Sequence, residues 1–229
     1  MVNEQNKEWL KAVARAIYKT DQKVVFVGGA VVGLYGDDPA RIKARLTKDV
    51  DVVAEILNLS DNEHFETRLR EIGFQPDRDS SVICRYKYQG ITVDIMPTET
   101  GILGFSNQWY KEGMHHILAV DLGEQVSVNI FEPPYFLATK FDALKSERHG
   151  ADYRWNSDFE DIIYLFDYRI DVFEEIERAD ERVRRYIISE ITQLLERPNI
   201  EEEIEANLEY QNHRERQLRI IEIWQKIVI

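Results

Sequence analysis

Three aspartates stand out by type and spacing: Asp49 and Asp51 in the run Asp49-Val-Asp-Val-Val53, and Asp94 inside Ile91-Thr-Val-Asp-Ile95. On a strand, side chains two apart project from one side, so Asp49 and Asp51 point together while Val50 and Val52 turn to a core. In the later run Ile91, Val93 and Ile95 share the core side and Asp94 takes the other, where an unpaired charge between apolar neighbours is costly. Two carboxylates about 4 Å apart repel by roughly 1 kcal/mol in water and about 4 kcal/mol at an effective dielectric near 20. Three that converge therefore need a shared proton or a bound cation. All-oxygen ligands favour hard metals, Mg2+ above all, with Mn2+ as a substitute in vitro. Two such ions can activate an attacking hydroxyl and stabilise a leaving pyrophosphate.

A phosphate cradle is expected beside these acids. The apolar run Lys23-Val-Val-Phe-Val27 ends in Gly28-Gly29, and without Cβ atoms the backbone can bring N–H groups close to a triphosphate, helped by the start of a following helix. Between the glycines and Asp49 lie Arg41, Lys43, Arg45 and Lys48, with no acid among residues 39–48. The intervening loop, Gly36-Asp-Asp-Pro39 included, reads equally as a substrate-contacting segment or a plain surface insertion.

The elements that must position these residues follow from periodicity. Trp9, Leu10, Val13 and Ile17 predict an amphipathic helix over 4–19,. Strands are expected at 23–27 and 49–53, with a helix starting at Ala30. Ser60 and Glu63 form a capping box for a helix running to Gly73. Val82–Tyr88 and Ile91–Met96, joined by Gln89-Gly90, predict a hairpin, and a further strand is expected over 125–130. After Glu132-Pro133-Pro134 the pattern is helical, with a second capping box at Ser157 and Glu160. The expectation is an α+β protein: a mixed sheet flanked by helices over residues 1–131, then a helical domain over 132–229.

The 229 residues carry 29 Lys+Arg against 42 Asp+Glu, a formal net charge of -13. That argues against nonspecific coating of nucleic acid, which needs a broad cationic surface. Residues 171–210 alone hold 13 Asp+Glu against 5 Lys+Arg, which reads as a solvated face of surface helices away from the aspartates. With 44% apolar residues the chain can fill a core,. Cys84 is the single cysteine, so neither an intrachain disulfide nor a thiolate zinc cluster is expected,. The start lacks a signal-peptide apolar stretch and no run is long enough to cross a bilayer, which predicts a soluble cytoplasmic protein with no membrane partner.

Val27-Gly28-Gly29, then Thr47-Lys48-Asp49-Val50-Asp51-Val52, then Val93-Asp94-Ile95, resembles the signature of the nucleotidyltransferase superfamily that includes DNA polymerase β. Tyr135 to Leu144 with Lys140, followed by Arg148 and Ser157-Asp158-Phe-Glu-Asp161, resembles the lysine and aspartate motifs of AbiEii-type nucleotidyltransferases, which are similar to toxins of toxin–antitoxin or phage-defence systems. The resemblance covers residues 23–167. It implies that Asp49, Asp51 and Asp94 coordinate Mg2+, with Asp94 also orienting or deprotonating the acceptor. Gly28 and Gly29, with Thr47 and Lys48, would hold the phosphates. Lys140 would reach the triphosphate as a point charge, and Asp158 would position that lysine or the base; Asp161 has a weaker claim. The implied partners are an NTP, an RNA acceptor such as a tRNA 3′ end, and an antitoxin protein. Where the superfamily often has Ser, this chain has Gly29, so no hydroxyl is available at that point.

Other groups invite blander readings. His115-His116 have no spaced metal-ligand partners, the cluster Phe105, Trp109 and Tyr110 reads as packing between sheet and helices, and Arg182, Arg184 and Arg185 read as exposed ion-pair formers. Ser80, Ser81 and Cys84 lack a nucleophilic triad. A D-x-D phosphohydrolase fails on order, because its apolar strand should precede the first Asp, whereas Leu46-Thr-Lys48 precedes Asp49. Two functions remain: a Mg2+-dependent nucleotidyltransferase acting on RNA or on a protein side chain, or a noncatalytic protein that keeps the fold to hold a nucleotide or an antitoxin.

Overall fold

The computed structural model describes residues 3–37, 44–104, 106–146, 152–208 and 212–229. The chain forms two compact units, one of Met1–Leu34 and Lys43–Glu132, the other of Tyr35–Ile42 and Pro133–Ile229.

The first unit opens with helix α1 (Glu4–Ile17), whose N-terminus is capped by Asn3 accepting from the Gln5 amide at 3.0 Å. Its Leu10, Val13 and Ile17 are fully buried, as the spacing predicts. Strand β1 (Val24–Val27) is buried at every position and β2 (Val50–Ala54) at all but Asp51. Helix α2 (Leu59–Glu71), the short strand β3 (Gln75–Pro76), the hairpin β4 (Arg85–Tyr88) and β5 (Ile91–Pro97), two short helices α3 (Thr100–Leu103) and α4 (Tyr110–Gly113), and the strands β6 (Ile117–Asp121) and β7 (Ser127–Phe131) complete the unit. Among the described residues the strands form one sheet ordered β3-β4-β5-β2-β1-β7-β6. The sheet is mixed: β2 runs parallel to β5 and β1 to β7, while the remaining pairs are antiparallel. Helix α1 packs against β2 and β7.

Several elements depart from the sequence expectations for local reasons. Asn58, not Ser60, caps α2, its side-chain oxygen accepting from the Asp61 amide at 3.0 Å. The segment after the glycines is a 3₁₀ helix, Gly29–Leu34, rather than an α-helix, so the cradle has no α-helical macrodipole behind it. The hairpin begins at Arg85, three residues later than expected, and its turn has Gln89 and Gly90 both at positive φ, as a two-residue type I′ connection requires,. Strand β6 was not anticipated because its half-exposed residues show no clean alternation,.

The second unit is helical: α5 (Pro133–Leu144), α6 (Ser157–Tyr168), α7 (Val172–Arg178), α8 (Glu181–Leu195), α9 (Ile200–Ala206) and α10 (His213–Ile227). Asn156, rather than Ser157, caps α6 by accepting from the Asp158 and Phe159 amides at 2.8 and 3.1 Å. Helix α5 packs on α6, α7 and α8, and α10 on α6 and α9. The stretch beginning at Tyr35 joins this unit: the Asp37 amide donates to the Tyr168 carbonyl, Arg169 pairs with Asp37 at 3.2 Å, and the Tyr35 and Phe136 rings stand 4.6 Å apart. Asp38, Pro39, Arg41, Lys43, Phe105 and Arg148 lie outside the described residues. No described helix is long and apolar enough to cross a membrane.

Candidate active site

Sheet register assembles the centre of the site. Val27 pairs with Asp51 in the antiparallel β1–β2 ladder, which brings Gly28, the next residue, against Asp51. A Cβ built on Gly28 would lie 1.8 Å from Asp51 Oδ2, and its φ of +70° is one that side chains resist, so glycine is needed twice over at this position. On the other side of β2, Asp51 stands beside Asp94 in the parallel ladder with β5. Asp49 lies just before β2 and is half-buried, as Asp51 is, while Asp94 is buried.

The cation that meets these acids in the structure is Arg85, which the sequence reading did not single out. It lies opposite Asp94 in the antiparallel β4–β5 ladder. Its Nε donates to Asp94 Oδ1 at 2.7 Å and an Nη to Asp94 Oδ2 at 2.7 Å, while the same Nη reaches Asp49 Oδ2 at 3.2 Å. The hydrogen-bonded Asp94, and then the charges of Asp94, Asp49 and Asp51, push the guanidinium pKa further above its already high value. The adjacent Cys84 thiol is pushed up to about 11, first by burial and then by Asp94, which makes it a poor nucleophile at neutral pH.

Gly29 is tightly enclosed too. A Cβ there would come 2.3 Å from an Arg45 Nη and 2.8 Å from Thr47 Cγ2. The segment that supplies Arg45 and Thr47 is fastened by Asn6 of α1, a fully buried side chain: its amide donates to the Arg45 carbonyl at 3.0 Å, and its oxygen accepts from the Thr47 amide at 3.3 Å and hydroxyl at 3.2 Å. The Thr47 hydroxyl thus has an internal partner. Lys48 is exposed.

Lys140, Asp158 and Asp161 form a cluster of their own inside the second unit. The Lys140 ammonium, on α5, contacts Asp158 at 2.8 Å and Asp161 at 2.6 Å, both on α6. Burial would lower the Lys140 pKa, but Asp161 and Asp158 outweigh it and hold the ammonium charged above its ordinary range. The Lys140 side chain is 8% exposed and that of Asp161 only 1%, so Asp161, the weaker candidate by sequence, is the most deeply buried member. Elsewhere Trp109 is buried and Tyr110 packs near Phe131, as expected of core aromatics, and Arg185 pairs with Glu181 on the surface of α8.

A divalent ion can be tested against these residues. By donor chemistry they fit: Asp51 and Asp94 are register neighbours on β2 and β5, Asp49 shares Arg85 with Asp94, and all three offer only hard oxygen donors,. Among the described residues, however, no group of three or more His, Cys, Asp or Glu is spaced as a ready metal site, and both oxygens of Asp94 are taken by Arg85. The acids suit a hard cation in kind, and the cation they hold here is a guanidinium.

No family model matches the chain. No curated protein matches it either. Among solved structures it is similar to an antigenic nucleotidyltransferase-like protein from Paracoccidioides brasiliensis, with a TM-score of 0.55 and 17% identity over 89% of this chain and 94% of that one. The chain therefore has a nucleotidyltransferase-like α+β fold.

Proposed function

We propose that the chain is a nucleotidyltransferase that moves an NMP unit from an NTP to an acceptor hydroxyl and releases pyrophosphate. One observation carries the reading: register brings Gly28, Asp51 and Asp94 side by side across β1, β2 and β5, with Asp49 reaching the same guanidinium as Asp94. Asp49, Asp51 and Asp94 would hold Mg2+, or Mn2+ in vitro. The chemistry supplied by the ion when bound is neutralisation of triphosphate charge and a lower pKa for the attacking hydroxyl. The chain's own residues do the rest. Gly28 and Gly29 would offer backbone N–H groups to the phosphates, with Arg45 and Lys48 adding positive charge, and Asp94 would orient the acceptor hydroxyl and take its proton. The acceptor class, RNA and in particular a tRNA 3′ end, and a role akin to toxins of toxin–antitoxin or phage-defence systems with an antitoxin partner, rest on the motif resemblance. The resemblance also assigns Lys140 and Asp158 to nucleotide handling, but the ion pairing within their own unit favours a structural role for them.

Incubating the protein with labelled NTPs, Mg2+ and total RNA tests this directly. Wild type labels RNA, and Asp51→Ala lowers labelling on the order of a hundredfold or more; equal labelling by the variant would sink the assignment. The two-pronged hold of Arg85 on Asp94 favours a second reading, a noncatalytic nucleotide-binding or antitoxin-binding protein on the same fold. Calorimetry separates the enzyme from an antitoxin-binding protein, which needs no Mg2+-dependent NTP binding, and the labelling assay separates it from a nucleotide-binding protein, which binds NTP without transfer.

A further inference from the structure

The guanidinium of Arg85 does at the carboxylate cluster what a bound cation would do. It spans two acids, contacting Asp94 through two parallel hydrogen bonds of 2.7 Å and Asp49 through one of 3.2 Å. A planar fork on a carboxylate is stronger than a point contact, and arginine keeps its charge at any physiological pH. The Arg85 side chain is 25% exposed, which leaves it water to move into without unfolding the strand. The Asp94 oxygens it holds are those a divalent ion would need. One carboxylate cannot serve both cations in full, so the two compete.

We propose that Arg85 is an internal counter-cation of this cluster, a positioning residue that holds Asp49 and Asp94 together. It must release Asp94 before a divalent cation is coordinated. The affinity of the site for that cation is then lowered by competition with the guanidinium. The inference rests on the reading of Asp49, Asp51 and Asp94 as the metal-binding residues.

The test is a titration with Mn2+ alone, followed by loss of the electron paramagnetic resonance signal of the free ion. It compares wild type with Arg85→Gln, and with Arg85→Lys as a variant that keeps the charge but not the fork; circular dichroism verifies that each is folded. Arg85→Gln should bind Mn2+ roughly tenfold or more tightly than wild type, with Arg85→Lys in between. The gain should disappear when Asp94→Asn is added. Equal and measurable Mn2+ affinity in all three proteins overturns the inference and leaves the metal reading standing. No Mn2+ bound by any of them overturns the metal reading and the inference with it.

Discussion

In each unit of this protein a cation meets two carboxylates, Lys140 between Asp158 and Asp161 and Arg85 between Asp94 and Asp49, and the two clusters differ in burial and in cation. In the helical unit Lys140 is 8% exposed between Asp158 and Asp161. In the sheet unit Arg85 is 25% exposed between Asp94 and Asp49, and Asp49 is 31% exposed. A buried ammonium with two acids cannot be traded for water, because removing one partner leaves uncompensated charge in a low-dielectric interior. A guanidinium at a partly wet edge can be traded for another cation. On the proposal above, similar composition would serve anchorage in one place and exchange in the other.

That contrast predicts an order of effects. Lys140→Ala should cost the most, about 3–5 kcal/mol, read as a fall in Tm of more than about 10 °C for a unit of this size. A fall below about 2 °C would remove the anchoring role and reopen the nucleotide-handling assignment of Lys140. Arg85→Ala should cost less, roughly 1–2 kcal/mol in denaturant unfolding, because Asp49 is half-exposed and only Asp94 is left buried without this partner; a loss as large as that of Lys140→Ala would erase the distinction between the clusters. Glu181→Gln breaks the exposed i,i+4 pair with Arg185 and should change stability by less than about 0.5 kcal/mol. A larger loss there would mean that exposure is not what ranks these pairs.

Much of the fold was legible because its signals are local. The apolar run ending at Gly28-Gly29 became β1, the alternation around Asp51 and Asp94 became β2 and β5, and the chain after Pro133 is helical among its described residues. The helix caps were misassigned to Ser60 and Ser157 because both helices start earlier, at Leu59 and Ser157, where Asn58 accepts from the Asp61 amide and Asn156 from the Asp158 and Phe159 amides,. Arg85 carried a signal that went unused. A two-residue turn at Gln89-Gly90 pairs Tyr88 with Ile91, and counting outward along the ladder pairs Arg85 with Asp94,. Asn6 carried none, since its partners Arg45 and Thr47 lie some 40 residues away.

The sequence by itself determined the residues of the candidate site and the strands that present them, because side-chain alternation and glycine punctuation act over a few residues. Only the tertiary structure decided that Gly28 closes on Asp51, that Asp51 stands beside Asp94, and that Arg85 rather than open solvent faces them. Those facts depend on which strands pair and in what register. Register is fixed by burying one whole face of a sheet, a condition that no short stretch of sequence contains.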